Sequence, residues 1–347
     1  MKKYLFLGIA ATAMLASCTN DEIVETTTQN AIAFDNAFVN NSTRSVDPST
    51  KIDDLGSFKV WGTVDDGADA VGATLIFNKL TVSSDDDGET WDYEDDYIQY
   101  WQAGYYYDFV ALANAEDPAT VDANGMPATV SYTLTDTDQK DLLHAYKENM
   151  EGKASGNADV AFTFNHQLSK VKFAFVNKFP INSKTEIQVS DIKITNADKT
   201  NTLTLNTQGN EWGTAGAEEV ELTFGSVIAD HAADVTPTNT AASITSGETL
   251  YSYNEKLIIP TEEKKFNIEF TVKVIQGGAI TTFNHTGTNA IQATLKFQKG
   301  YSYVLKAEID GSNANPEGAM EPIEFTASVA EWTPNTDDQN NIYTGEY

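Results

Sequence analysis

The stretch KFNIEFTVKV (residues 265–274) alternates apolar and polar side chains almost throughout. The apolar positions are Ile268, Phe270, Val272 and Val274, and the polar ones are Asn267, Glu269, Thr271 and Lys273. Successive side chains of a β-strand point to opposite faces of its sheet, so this pattern predicts a strand with one buried and one wet face. Strands of that kind form antiparallel sheets that pack face to face as sandwiches.

Similar segments recur along the chain, with turn residues between them. They are FKVWGTV from Phe58, YYDFVAL from Tyr106, ADVAFTF from Ala158, KVKFAFV from Lys170, ATLKF from Ala293, YSYVLKAEI from Tyr301 and IEFTASV from Ile323. A short first strand is predicted within residues 31–38, where Ile32, Phe34 and Phe38 share one face. One helix is predicted over residues 137–150 because Leu142, Leu143 and Tyr146 share a helical face. The chain is therefore predicted to be all-β, with at most one or two short helices.

The 347 residues exceed what one hydrophobic core commonly serves, so two domains are expected. The composition shifts to small and polar residues near 152–156, just before a predicted strand. The predicted division is a leader at 1–17, a tether with the first strand at 18–44, and tandem sandwich domains at 45–160 and 161–347.

The first residues, MKKYLFLGIAATAMLASC, resemble an export signal, with two lysines followed by an apolar run too short to be a stable membrane-spanning helix. The run ends in LASC, and Cys18 is the only cysteine in the sequence. This pattern resembles a bacterial lipobox, which predicts cleavage before Cys18 and acylation, palmitate included, that anchors the protein in the outer membrane. The alternative is an ordinary signal peptide with an incidental cysteine.

The charge balance is strongly acidic, with 51 acidic and 22 basic residues and a formal net charge of −29 at pH 7. Such a surface repels phosphate backbones, so nucleic acid is not an expected partner. The chain is 41% hydrophobic and 11% aromatic, which is enough apolar surface to fold.

No catalytic or cofactor motif is present. The four histidines, His144, His166, His231 and His285, lie far apart and match no metal-binding spacing such as HExxH. Nucleophile elbows, phosphate loops and dinucleotide fingerprints do not occur, and carboxylate pairs carry little information in so acidic a chain. We expect neither an enzyme nor a cofactor. His166 is expected to make hydrogen bonds at a domain junction, and Trp332 to be a core or groove anchor.

One acidic stretch, SSDDDGETWDYEDD (residues 83–96), partly fits the frame of a calcium loop. Ligand positions are taken by Asp85, Asp87 and Glu94, but Ser83 stands where aspartate is expected. The flanking segments NKLTV and YIQYW look like strands rather than helices. The alternative, a solvated acidic hairpin loop, is favoured.

Several motifs together resemble the fimbrillin family, the type V pilins. They are LASC at 15–18, LGSFKVWG from Leu55, FTFNHQLSKVKFAF from Phe162, YNEKLIIP from Tyr253, GYSYVLKAEI from Gly300 and IEFTASVAEWTP from Ile323. The resemblance implies two tandem transthyretin-like antiparallel β-sandwich domains and export as a lipoprotein. It also implies cleavage by an arginine-specific or trypsin-like protease after the first strand, and assembly with other subunits by strand exchange.

Arg44 is the only arginine in the sequence, and it lies in the loop-forming stretch NNSTRSVDP that follows the first predicted strand. The resemblance assigns the cut to the bond between Arg44 and Ser45, and it makes residues 31–38 the removable strand. The donor strand is expected at the carboxyl end, with Ile323, Phe325, Ala327 and Val329 along one face. The alternative function is a tethered tip or accessory adhesin that binds glycan or a host protein.

Overall fold

The computed structural model describes residues 30–39, 56–67, 72–85, 90–207, 209–229 and 238–332, with only the backbone of residues 35–39 described. Its regular structure is almost entirely β, in sheets that are mainly antiparallel, so the predicted fold class is confirmed. The helical pieces within these ranges are single 3₁₀ turns, Asp95–Tyr97, Ile181–Ser183 and Gly287–Asn289. Among the described residues, no helix has the length and apolar character needed to cross a membrane.

The N-terminal half contributes strands β1 to β8. They are β1 Phe34–Val39, β2 Ser57–Asp65, β3 Thr74–Ser83, β4 Tyr106–Ala113, β5 Pro118–Val121, β6 Pro127–Thr133, β7 Leu143–Glu151 and β8 Val160–His166. Six of them form sheet 1 in the order β1-β8-β7-β4-β2-β3. All neighbours in sheet 1 are antiparallel except β1 and β8, which run parallel.

The C-terminal half contributes strands β9 to β21. They are β9 Ser169–Asn177, β10 Glu186–Asp198, β11 Thr200–Thr204, β12 Glu211–Trp212, β13 Glu219–Gly225, β14 Val227–Ile228, β15 Thr249–Ser252, β16 Lys256–Ile258, β17 Thr261–Gln276, β18 Ala279–His285, β19 Ile291–Phe297, β20 Tyr301–Ile309 and β21 Phe325–Glu331.

Two sheets of this half pack face to face as a sandwich. Sheet 2 has the order β13-β10-β17-β18 with β19 beside β17, and sheet 3 has the order β14-β15-β9-β20-β21 with β16 beside β9. The alternating stretch at residues 265–274 lies in β17, where Ile268, Phe270 and Val272 are buried. Phe270 meets Phe175 of β9 with ring centroids 5.2 Å apart, so the predicted wet-and-dry alternation marks the interface between the two sheets.

A four-stranded bridging sheet joins the two halves in the order β12-β11-β6-β5. Its β5 and β6 come from the N-terminal half, whereas β11 and β12 come from the C-terminal half. Tyr132 of β6 meets Trp212 of β12 edge to face, with ring centroids 6.3 Å apart. The predicted domain boundary between residues 160 and 161 falls at the start of β8, and β8 belongs to sheet 1 of the N-terminal half. The division itself stays a prediction.

The helix predicted over residues 137–150 is wrong, because most of that stretch forms β7. β7 lies between β4 and β8, and it is buried on both faces at its start. Leu143 and Ala145 pack into the core of sheet 1, and His144, on the opposite face, is only 7% exposed. A strand covered on both sides loses the period-two alternation that identifies a half-exposed strand.

Residues 91–101, the closing segment, join the two edges of sheet 1. Ser83 at the end of β3 exchanges backbone hydrogen bonds with Asp92, each 2.9 Å long. At the other end of the segment, Ala31 bridges Tyr100 just before β1. The predicted strand YIQYW at 97–101 is therefore wrong, since the segment contains a 3₁₀ turn and a single bridge. Sheet 1 curls around its core, and the closing segment and β1 complete the enclosure.

Candidate functional site

The predicted removable strand, residues 31–38, includes most of β1 and is hydrogen-bonded on both sides. On one side it runs parallel to β8, with Phe34 opposite Val160 and Val39 opposite Phe164. The Val160 amide donates to the Ala33 carbonyl at 2.8 Å. On the other side, the residues just before β1 pair with the closing segment, where the Ile32 amide donates to the Gln99 carbonyl at 2.8 Å. Residues 31–39 therefore fill a slot between β8 and the closing segment.

The apolar side chains of this segment reach the centre of the N-terminal core. Ile32 is fully buried and Phe34 is 2% exposed. The ring of Phe34 contacts four aromatic rings at centroid distances of 5.7 to 6.0 Å, those of Phe77, Tyr93, Phe109 and Phe162. These partners come from β3, the closing segment, β4 and β8. Phe34 is thus the point where the opposite edges of sheet 1 meet.

Tyr93 holds the closing segment against β1 from the far side. Its hydroxyl donates to the Ile32 carbonyl at 2.5 Å, and burial raises the pKa of the phenol. Its ring also lies 5.9 Å from that of Phe77. The sequence analysis did not predict a role for Tyr93. The alternation of Trp91 and Tyr93 about Asp92 was the one local signal that could have indicated it.

Removal of β1 would open a groove with two chemical properties. Its floor would be aromatic, because Phe77, Phe109 and Phe162 would lose the ring that covers them. Its wall would carry the backbone groups of β8 that now pair with β1. Apolar surface and unpaired backbone groups exposed together favour binding of another extended strand.

The predicted processing and lipid sites, Cys18, Arg44 and Ser45, lie outside the described residues. β1 ends at Val39, a few residues before Arg44. The predicted donor positions lie at the other end of the chain. Ile323 is buried and Ala327 is exposed. Phe325 and Val329 are half-buried and pack against the hydrophobic core.

The donor segment occupies a place in its own sandwich. β21 runs antiparallel to β20 from Tyr301 opposite Glu331 to Ala307 opposite Phe325. The Phe325 ring meets those of Phe173 and Phe270 at 5.4 and 6.1 Å. β21 is the edge strand of sheet 3, and its role as a donor stays a prediction.

A polar network holds the junction between the halves. The Asn210 side-chain amide donates to His144 Nδ1 and to Gln167 Oε1, both at 3.0 Å. Burial, together with the nearby positive charge of Lys299, lowers the pKa of His144 to about 4. A neutral imidazole accepts the bond from Asn210, so the network is matched to an uncharged His144. Nothing in the spacing of these residues along the sequence indicates that they meet.

His166 lies at the same junction and makes two contacts. Its Nδ1 is hydrogen-bonded to the Asp141 carboxylate, whose pKa is raised by burial despite this bond. Its ring stacks on Trp332, with centroids 4.1 Å apart and planes inclined by 9°. The expected hydrogen bond at a junction is present. The stack brings together His166 and Trp332, two residues with no sequence pattern in common.

The calcium candidate is only partly described. Asp85 and Glu94 lie at the two ends of the acidic loop, whereas Asp87 is outside the described residues. Within the part of the chain that the structure describes, no three His, Cys, Asp or Glu side chains are grouped to hold a metal ion. The segment before the loop is the predicted strand, β3, rather than a helix.

The sequence model of a family described as fimbrillin-like matches residues 43–332. No curated protein sequence matches the chain. Among solved structures, a fimbrial protein from Bacteroides vulgatus ATCC 8482 is 13% identical with a TM-score of 0.59, covering 87% of this chain and 99% of that one.

Two further structures are less similar. A proposed cell adhesion protein from Bacteroides uniformis ATCC 8492 is 16% identical with a TM-score of 0.46, covering 88% of this chain and 99% of that one. The tip fimbrial protein Mfa3 from Porphyromonas gingivalis, with a C-terminal truncation, is 12% identical with a TM-score of 0.44, covering 87% and 100%. At these identities the likeness concerns the fold alone.

Proposed function

Because the chain belongs to the fimbrillin-like family, we propose that it is a structural subunit of a cell-surface fimbria. It is exported as a lipoprotein, acylated on Cys18 and held in the outer membrane. An arginine-specific or trypsin-like protease then cuts between Arg44 and Ser45, and the subunit assembles with others by strand exchange. The role is structural and adhesive, so it involves no catalytic residue and no cofactor.

The observation that supports this proposal is the placement of β1 over the core of sheet 1. Burial of Ile32 and Phe34 contributes about 2 kcal/mol for each side chain. While the chain is intact, β1 is tethered to its own slot, so a strand from another subunit competes against a very high local concentration. A cut at Arg44 removes that tether, after which a neighbour's strand competes on equal terms.

Arg44 is the only arginine in the sequence, so an arginine-specific protease has a single possible cleavage site. Treatment of the folded protein should give a fragment that begins at Ser45, followed by oligomers on size-exclusion chromatography. Arg44→Lys keeps the positive charge but removes the cleavage site, so this matched variant should stay whole and monomeric. Oligomers formed equally well by Arg44→Ala would contradict the proposal.

A second candidate, a tethered tip or accessory adhesin, is favoured by the position of β21. The C-terminal strand is paired with β20, and Phe325 packs in its own core. A subunit that keeps its C-terminal strand for itself has no donor to offer, as expected for the end of a polymer. It would bind a glycan or a host protein and keep Cys18.

Amino-terminal sequencing of the protein from cells separates the two candidates. A start at Ser45 in polymeric material supports the polymerising subunit, and a start at the acylated Cys18 in cell-associated monomer supports the adhesin. A glycan array and a panel of host matrix proteins, both without binding, would count against the adhesin.

A further inference from the structure

The C-terminal strand β21 is weakly held beyond its first residue. None of its side chains is fully buried, and Ala327 is exposed. It pairs with β20 on one side and forms the edge of sheet 3 on the other. Attachment of its far end therefore depends on the β20 ladder, on the half-buried Val329 and on what holds Trp332, the residue that follows Glu331.

Trp332 is fixed by three contacts at the junction. Its amide donates to the Gly300 carbonyl at 2.8 Å. Its ring stacks on that of His166 at 4.1 Å, and the ammonium of Lys170 lies 5.2 Å from its centre. We call the stacked pair of Trp332 and His166 the clasp. It joins the end of β21, in sheet 3, to the end of β8, in sheet 1.

β8 depends on β1 for most of its strand pairing. Its register with β7 covers only Asn165 and His166, opposite His144 and Leu143. In the described residues, the remainder of β8, from Val160 to Phe164, is paired with β1. Loss of β1 would therefore leave β8 with strand pairing only at its last two residues, the second of which is His166.

We propose that His166 couples the two terminal strands, so that loss of β1 loosens β8, opens the clasp and frees the end of β21. The inference rests on the proposed strand exchange and adds a means of regulation to it. In the intact subunit the acceptor slot is filled and the C-terminal strand is clasped. Loss of β1 then opens the groove and, at the same time, releases the end of β21, the predicted donor strand.

The coupling can be measured in the uncleaved full-length chain by hydrogen exchange of backbone amides. Phe34→Ala weakens the docking of β1, and we expect the amides of Ser328, Ala330 and Trp332, which face β20, to exchange about tenfold faster, the size of a lost aromatic stack. Val82→Ala is the matched control, because Val82 is fully buried in the same core but lies on β3. Equal acceleration in both variants would indicate general destabilisation and overturn the proposal, as would no acceleration in Phe34→Ala.

The clasp is tested directly with substitutions of its two members. Trp332→Ala and His166→Ala should both speed exchange of the Ser328 and Ala330 amides, whereas Trp332→Phe, which keeps a stacking ring, should restore slow exchange. Because coupling between two sites is reciprocal, Trp332→Ala should also speed exchange of the Val160 amide, which donates to the Ala33 carbonyl just before β1. An unchanged Val160 amide would mean that the clasp holds β21 without coupling it to β1.

These outcomes are independent of the test of polymerisation. If cleavage at Arg44 gives oligomers but Phe34→Ala leaves β21 unaffected, strand exchange stands and the coupling fails. If Phe34→Ala loosens β21 but the cleaved protein stays monomeric, the coupling stands and the proposed function fails.

Discussion

The ring of Phe34 in β1 stacks on the ring of Phe162 in β8, with centroids 5.8 Å apart and planes inclined by 12°. The two strands also run parallel and share a backbone ladder. Side chain and backbone thus attach the amino-terminal strand to the same neighbour. Whatever replaces β1 has to offer both an aromatic or large aliphatic side chain and an extended backbone.

Phe34→Ala should lower the free energy of unfolding by about 3–5 kcal/mol, because it leaves a cavity among four aromatic rings. Urea denaturation followed by circular dichroism measures the change. Ile181→Ala, at a side chain that is 79% exposed, is the control and should have little effect. A loss in Phe34→Ala no larger than in the control would show that β1 is not part of the stable core.

Gly62→Ala should also be destabilising, but by crowding. A Cβ at this position would lie 2.8 Å from Phe109 Cδ1 and 3.0 Å from Phe77 Cδ2, two rings that pack around Phe34. Crowding of a packed core costs about 1–3 kcal/mol. Gly56→Ala, which meets nothing within 4 Å, is the matched control for the change in composition. Equal melting temperatures for the two variants would contradict the packing described for sheet 1.

Acid should destabilise the fold through His144. Its pKa is about 4 in the folded protein and 6.5 for the ordinary side chain, so the unfolded state binds more protons between these values. Above pH 6.5 His144 is neutral in both states and does not lower the free energy of unfolding. As the pH falls from 6.5 to 4, that free energy decreases by about 3 kcal/mol because of His144.

His144→Gln should flatten that dependence, since glutamine does not titrate while the other buried groups remain. The measurement is the free energy of unfolding at a series of pH values in both proteins. Parallel curves for the two proteins would show that His144 is not the titrating group.

A synthetic peptide with the sequence of residues 30–39 should block oligomerisation after cleavage at Arg44, because it refills the slot left by β1. The control peptide carries aspartate in place of Ile32 and Phe34, whose side chains are buried in that slot. Burial of two unpaired carboxylates is strongly unfavourable, so the control should not block. Equal inhibition by both peptides would contradict recognition through the core.

Calcium should leave the melting temperature unchanged. The first ligand position of the candidate loop is Ser83, whose neutral hydroxyl stands where a calcium loop places a charged carboxylate. A ligand that binds only the folded state must raise its stability, so a rise on adding calcium that is reversed by chelator would contradict this expectation.

Local periodicity accounts for what the sequence predicted well. Period-two alternation in β17 reports a strand with one buried face, and the strand segments from Phe58, Tyr106, Lys170 and Tyr301 are confirmed for the same reason. Periodicity did not indicate β7, which is buried on both faces at its start, and it wrongly indicated a strand at residues 97–101, where aromatic residues belong to a loop.

By itself, then, the sequence determined the all-β class, most strand positions and the place of the only arginine after the first strand. The tertiary structure decided which strands are neighbours: β1 beside β8, Tyr93 against Ile32, and Trp332 on His166. Alternation along a strand follows from local geometry, because successive side chains point to opposite faces of the sheet. The choice of neighbour depends on how the entire chain packs, and residues far apart in sequence leave no local sign of it.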